Sequence, residues 1–405
     1  MAGVELFFFY LLAAASPLSI AAINAAAGGL ALFFLARLFA GRWKPSPAAW
    51  LLIAFFGWNV VSALLSPLRG EALDGVLNYW SWSALLIASA LPTVIRDRYP
   101  RWLDFLSLSL LLTLPMSLLE FCWGTDILHM QALHRRIPVG TENAYGYFSH
   151  HLTYAGVMSA GLLMVAAAWL YGRKVKTPTT LAGAGSAAAG LVLSMARTYY
   201  LAVIPAVVIV LWGKGKKRLL QAGLALVILA AAAFALGPAA LRERMENLGD
   251  MNNGSTSERV YLWISGLHMW MDHPLAGWGP GIYEQVAEPY KAPYADRIHY
   301  PGRTGFQTRG HCHNLFLMIA IQSGAVGLLL FLAFVAAVCR ELMLNKDLAL
   351  RYGGLAVLAV FLVGGLFEYN GGDAEVATLV FFLLGLAMAD NRGAGGREPG
   401  EASGK

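Results

Sequence analysis

Apolar runs long enough to cross a hydrocarbon core of about 30 Å recur along this chain, and they leave few folds open. A backbone in lipid must satisfy its own hydrogen bonds, so each run reads as a helix and the fold class as all-α, a polytopic membrane protein. The runs predict about twelve transmembrane helices, near residues 4–22, 25–40, 48–66, 76–95, 103–121, 150–171, 179–196, 198–212, 219–236, 313–339, 352–368 and 375–390. Apolar residues make up 58% of the chain and charged residues only 13%, which excludes an ordinary soluble domain. The run from Leu6 has no basic stretch ahead of it and reads as a first span, not a cleaved signal. The expected organisation is nine helices with short loops in 1–236, a large polar loop in 237–312, three helices in 313–390 and a polar tail in 391–405.

Basic residues fix the expected orientation, because short loops rich in Lys and Arg stay on the cytoplasmic side. With both termini inside, the inside segments hold 19 of the 30 basic residues, and every short outside loop holds fewer than every inside loop. The large loop then lies outside. The formal net charge of +6 follows from inside loops facing anionic lipid and does not call for nucleic acid. Of the three cysteines, Cys122 and Cys312 fall outside and Cys339 inside. No disulfide framework can be read from them, and a Cys122–Cys312 bridge is left open.

The large loop is more than a linker. Ser255-Thr256-Ser257-Glu258 reads as a capping box that starts a helix. Val260, Trp263, Leu267, Trp270 and Met271 then recur at helical spacing as far as Pro274, giving an apolar face that can lie on the membrane or against the spans. Gly277-Trp278-Gly279-Pro280-Gly281 follows as a tight turn. Arg259 sits in the first turn of this helix, where the dipole end is already positive, so its place suits an anion facing it. Arg197 stands between two apolar stretches with almost no loop around it. A guanidinium at that depth costs about 2.5 kcal/mol or more unless it is paired or lines a wet cavity.

All nine histidines fall outside on this topology, and His313 is the sharpest of them. It begins the tenth span with Asn314 beside it, and a helix N-terminus favours the neutral, base-competent ring. His311 and His313 alone are a weak metal signal, since no carboxylate stands at ligand spacing, and no metal is expected. No Asp-x-Asp pair and no Gly-x-x-x-x-Gly-Lys loop offers a place for a nucleotide donor. An outside enzyme without a nucleotide site needs a substrate activated beforehand, and a lipid-linked diphosphate fits. Arginines would grip its oxygens and offset the charge that grows as the bond breaks. Arg197 and Arg259 are best placed; Arg135, Arg136, Arg303 and Arg309 are further candidates.

His313-Asn314, nine residues, then Gly324-Ala325-Val326-Gly327 resembles the His-Asn-x9-Gly-x-x-Gly signature of bacterial O-antigen ligases and their polymerase relatives. Arg259 to Trp263 and Pro274 to Gly281 are similar to the Arg-x-x-x-Trp and Pro-Leu-x-Gly-x-Gly-x-Gly stretches of that superfamily. Ser194 to Arg197 is similar to its Ser-x-Ser-Arg element, with Ala196 in place of the second serine. The resemblance implies an inverting glycosyltransferase of the bacterial inner membrane with a periplasmic site and no cofactor. Its implied donor is O-antigen on undecaprenyl diphosphate, and its implied acceptor a sugar hydroxyl of lipid A-core. On that reading His313 is the general base, Arg197 and Arg259 hold the diphosphate, and His311 and Asn314 assist substrate binding. Gly324 and Gly327 would let the tenth span approach a neighbour closely. A polymerase acting on the same carrier and a transporter of the lipid-linked chain are the competing readings.

Overall fold

The protein is described by a computed structural model covering residues 2–123, 125–126, 131–132, 143–218, 220–221, 223, 254–300, 302–308 and 310–389. Among these, five helices are long and apolar enough to cross a membrane: Ile20–Phe39, Pro47–Leu65, Tyr99–Cys122, His151–Leu170 and Leu315–Leu344. Four shorter apolar helices, Gly3–Ala15, Arg197–Trp212, Leu348–Gly364 and Ala374–Ala389, pack among them. Strand is confined to two short antiparallel pairs, Thr125–Asp126 with Gln131–Ala132 and His299–Tyr300 with Arg303–Thr304. The chain is an all-α polytopic membrane protein.

Several boundaries differ from those the hydropathy predicts. The first two spans are divided at Ser16 to Ser19, where Ser19 caps the Ile20–Phe39 helix by accepting the Ala22 N–H at 3.3 Å. Residues 76–95 are helical for most of their length but are not one regular α-helix. They make a 3-10 segment, Leu77–Ser83, and two short helices, Ala84–Ser89 and Thr93–Arg96. Aromatic packing accompanies the 3-10 geometry: Trp82 stacks on Phe55 and Phe381 at 5.4 and 4.7 Å and donates to the Gly371 carbonyl at 2.8 Å. The eleventh helix ends at Gly364, which leaves Glu368 in the turn before Ala374–Ala389. The ninth expected span, 219–236, lies outside the described residues except for positions 220, 221 and 223.

In the polar segment the helix expected after Ser255 runs from Gly254 to Asp272, and Glu258 is not used as the acid of a capping box. The Glu258 carboxylate turns away from the helix start and accepts the Gln307 and Thr308 N–H groups, each at 2.6 Å, and the Tyr300 hydroxyl. The packed face is also rotated from the one the apolar spacing suggests. Leu262, Ser265, Gly266 and Met269 are buried, whereas Leu267 and Met271 are exposed. Gly266 explains the choice, since a Cβ there would stand 3.0 Å from Leu317 and Ile321 of the Leu315–Leu344 helix. The smallest side chain sets the contact line.

The Leu315–Leu344 helix is broken at Gly324, with φ 65° and ψ −170°. The loop from Pro274 to Gly281 is laid into the break. Trp278 and Gly279 donate N–H groups to the carbonyls of Ile321 and Gln322 at 2.8 and 3.0 Å, and the Ala325 N–H donates to the Pro274 carbonyl at 2.7 Å. These bonds satisfy backbone groups that the break releases. From the other side, the Ser62 hydroxyl bridges the carbonyls of Ala276 and Gln322 at 2.6 and 2.8 Å. Gly324 thus meets a loop, not a neighbouring span as the motif suggests; Gly327 does face Trp58 of the Pro47–Leu65 helix, 3.3 Å from an added Cβ.

The bundle has two distinct ends. At one, the Ala48 N–H donates to Glu341 at 2.9 Å, Asn345 donates to the Ala387 carbonyl at 2.5 Å, Arg96 donates to the Ala389 carbonyl and Arg173 pairs with Asp347. At the other lie His313, Glu368 and the start of the last helix, where Thr153 donates to Asp373 at 3.1 Å. An alanine at position 324 would put its Cβ 2.1 Å from the Leu275 carbonyl oxygen at a φ that L-residues avoid. Gly324→Ala should therefore lose at least about 1 kcal/mol from backbone strain alone. Its unfolding midpoint in detergent should fall by several degrees, and an unchanged midpoint would show that the loop does not depend on this break.

Candidate functional site

Asn314 ties the end of the polar segment to the turn that follows Gly364. Its Oδ1 caps the Leu315–Leu344 helix by accepting the Leu317 N–H at 2.9 Å, and its amide donates to the Leu366 carbonyl at 3.0 Å. The Leu315 N–H adds a bond to the Gly365 carbonyl at 2.7 Å. This pairing brings Glu368 to His313. His313 has φ 52°, and Met195, two residues before Arg197, has φ 55°. Among the described residues these are the two non-glycines with positive φ, a conformation that costs of order 1 kcal/mol and clusters at functional sites.

Glu368 is 4% exposed, and its Oε2 lies 2.7 Å from His313 Nδ1. Burial by itself would raise the carboxyl above its ordinary value of 4.5. The hydrogen bond from His313, and then the charges of His313, His311 and Arg259, prevail and hold it at about 2. An ionised carboxylate can only accept, so His313 donates its Nδ1–H to Glu368. In the neutral ring the lone pair is then on Nε2, which accepts the Thr308 hydroxyl at 2.9 Å. A base-competent nitrogen is thereby fixed in direction, with a hydroxyl already placed on it.

His311 plays a different part. Its Nδ1 accepts the His313 N–H at 3.2 Å and lies 3.8 Å from Glu368 Oε1. Burial drives its pKa down to about 4 despite the opposing pull of Glu368, so the ring is uncharged at neutral pH and the 3.8 Å approach is not an ion pair. Half-buried Asp373, in the same turn, is raised to about 8 by burial and then by the Glu368 charge. Glu368 is the ionised member of these two acids at neutral pH.

Arg259 completes the cluster. One Nη donates to Ser255 at 2.9 Å, while its Nε is buried without a hydrogen-bond partner among the described residues. Its charge acts on Glu368, His311 and His150. A guanidinium with an unsatisfied buried donor beside a base is suited to receive an anion. Glu258, the residue before it, secures residues 307 and 308 and so places Thr308 against His313. Adjacent residues on one helix thus supply the cation and support the ring.

Among the expected site residues, Arg259, His311, His313 and Asn314 meet in this way. Arg197, itself half-buried, opens the first turn of the Arg197–Trp212 helix, followed by buried Thr198 and Tyr199. Its helix reaches the same end of the bundle, because Tyr199 packs beside Gly364 and Asn370, 3.3 and 3.5 Å from a Cβ added to Gly364. Arg303 is exposed and lies over the ring of Tyr300, 5.5 Å from its centroid, and the Tyr300 hydroxyl donates to Glu258. Arg135, Arg136 and Arg309 lie outside the described residues. Cys122 and Cys312 are both free thiols.

Thr308, Glu258 and above all Glu368 are missed by motif reading. A carboxylate at the end of the apolar run 352–368 was the available signal, since an acid there is costly unless it has a partner. Folding also supplies the carboxylate that His311 and His313 lack in sequence: ligand atoms of His311, His313 and Glu368 lie within 4.8 Å of one another, a set able to hold a metal ion. The hydrogen bonds on both His313 nitrogens favour a different use, an oriented base. Residues 182–332 match the family model described as O-Antigen ligase. No match is found among curated proteins.

Because the folded pKa of Glu368 is depressed, its stabilising contribution is complete above pH 4.5 and is lost as pH falls toward about 2. The gap in unfolding midpoint between the parent and Glu368→Gln should stay level from about pH 7 to 5 and close below about pH 4. A gap that widens on acidification would contradict an ionised Glu368.

Proposed function

We propose, for a chain whose residues 182–332 belong to the O-antigen ligase/polymerase superfamily, that the His313 cluster transfers O-antigen from undecaprenyl diphosphate to a sugar hydroxyl of lipid A-core. The observation that carries this reading is the oriented Nε2 of His313, with Glu368 behind it and Arg259 in the same electrostatic cluster. The acceptor hydroxyl takes the place of the Thr308 hydroxyl and gives its proton to His313 Nε2. Its oxygen forms the new bond to the anomeric carbon as the bond from that carbon to the diphosphate oxygen breaks. The electron pair leaves with the diphosphate, whose growing charge is met by Arg259 and Arg197. Glu368 stabilises the imidazolium formed on the way. Attack opposite to the leaving group inverts the anomeric centre, and no metal enters the scheme.

Orientation belongs to the same proposal. Arg96, Arg173 and Lys346, all from segments expected inside, lie at or beside the contacts of the end opposite His313. This grouping supports cytoplasmic termini, a periplasmic site in the inner membrane and an even number of spans near twelve.

The test is incubation of the purified full chain with undecaprenyl-linked O-antigen, with and without lipid A-core. Product only in the presence of lipid A-core is expected; chain growth without it would select a polymerase, and unaltered donor would favour transport. His313→Ala should lower transfer by at least about a hundredfold, the usual scale for a general base, while donor binding persists. Arg259→Lys should also transfer poorly, since a point charge cannot replace a fork. Activity should survive a chelator; loss that a divalent ion restores would assign His311, His313 and Glu368 to a metal.

A further inference from the structure

The cluster around His313 admits a second chemistry. His313 Nδ1 lies 2.7 Å from Glu368 Oε2, His311 Nδ1 lies 3.8 Å from Glu368 Oε1, and ligand atoms of the three residues stand within 4.8 Å of one another. Ligands around a tetrahedral zinc ion, each about 2.0–2.2 Å from it, are about 3.3 Å apart. The two separations bracket that value, so an ion fits with shifts of about half an ångström. The carboxylate is also held from behind, since Glu368 Oε1 accepts the Tyr369 N–H at 3.0 Å.

An ion here would reverse the tautomer of His313. A ring nitrogen that binds a metal carries no proton, and the neutral imidazole then holds its one proton on the other nitrogen. With an ion on Nδ1, the proton of His313 sits on Nε2 and is donated to the Thr308 oxygen, 2.9 Å away. Such an outer partner is what a metal-bound histidine ordinarily has, and Glu258 fixes it by accepting the N–H groups of residues 307 and 308 at 2.6 Å. The nitrogen that takes the acceptor proton in the transfer scheme thereby becomes a donor. We propose that His311, His313 and Glu368 capture a divalent transition-metal ion of the zinc class, and that the captured ion switches the transfer base off. Two imidazoles select that class over magnesium and calcium, which take oxygen ligands, and three protein ligands leave a fourth position for water. Two features hold the affinity below that of a closed structural site. The Arg259 charge, felt at Glu368 and His311, opposes a cation, and the His313 N–H, now 3.2 Å from His311 Nδ1, loses that lone pair to the ion. Capture needs only the three side chains; its effect on transfer rests on His313 being the base.

Equilibrium dialysis of the purified full chain in detergent against zinc, with cobalt(II) as an optical probe of tetrahedral ligation, reads the site without any transfer. One zinc per chain is expected, able to displace cobalt and not displaced by magnesium. Glu368→Gln and His311→Ala should each weaken it by at least about tenfold, and Thr308→Val, which removes the outer partner, by about tenfold. In the transfer assay zinc should slow the parent by at least about a hundredfold, the scale of a lost general base, and a chelator should restore the rate. Lack of a stoichiometric zinc, or a zinc bound equally well by the parent and all three variants, would overturn the site. Zinc seated at the site with transfer unchanged or accelerated would overturn the switch. A chain that binds zinc through these residues and transfers nothing under any condition would uphold the site and refute the transfer reading instead.

Discussion

The insertion of the Pro274–Gly281 backbone into the break at Gly324 is the interaction on which the rest of this architecture depends. A helix interrupted within a membrane protein exposes carbonyl and amide groups that lipid cannot satisfy, and each would cost several kcal/mol if left bare. Here the loop supplies them, through Trp278 and Gly279 to the carbonyls of Ile321 and Gln322. The fit is backbone against backbone. A Cβ on Gly277 would meet the Gln322 carbonyl oxygen at 2.6 Å, and one on Gly75 would meet the Pro280 carbonyl oxygen at 2.1 Å. Three parts of the chain distant in sequence are thus locked at one level. The helix Gly254–Asp272, which carries Arg259 and Glu258, is held against the segment that carries His313.

What the lock positions is an electrostatic arrangement that no single element could hold. Glu368 is buried and ionised, a costly state that persists because the His313 hydrogen bond and nearby cationic charge outweigh desolvation. In return the carboxylate selects the tautomer of His313 and leaves Nε2 free to accept. Glu258 does analogous work one layer out, since its bonds to residues 307 and 308 fix the hydroxyl that faces Nε2. The strained backbone at His313 is held by this surrounding structure, with Trp263 donating to its carbonyl at 3.4 Å.

The spans most legible in sequence are those whose stability is mainly hydropathic, such as His151–Leu170, which the apolar run at 150–171 outlines closely. The 3-10 geometry of Leu77–Ser83 inside the run 76–95 was not legible, because it goes with aromatic packing of Trp82 on Phe55 and Phe381. In the site, His313, Asn314 and Arg259 could be read because each has a local signature, a helix start or a motif. Glu368 and Thr308 could not, since their roles come from tertiary contacts across 55 and 5 residues and from a turn whose start the hydropathy misjudged. Gly324 was recognised as a glycine that must be small, but its partner was misread: spacing reveals the need for close approach and not what approaches.

The central claim is that Glu368 acts through His313. Transfer rates for His313→Ala, Glu368→Gln and the double variant, each compared with the parent, address it most directly. The account predicts that Glu368→Gln slows the parent severely and costs almost nothing further once His313 is gone. Full additivity of the two losses would mean that the carboxylate and the imidazole act independently.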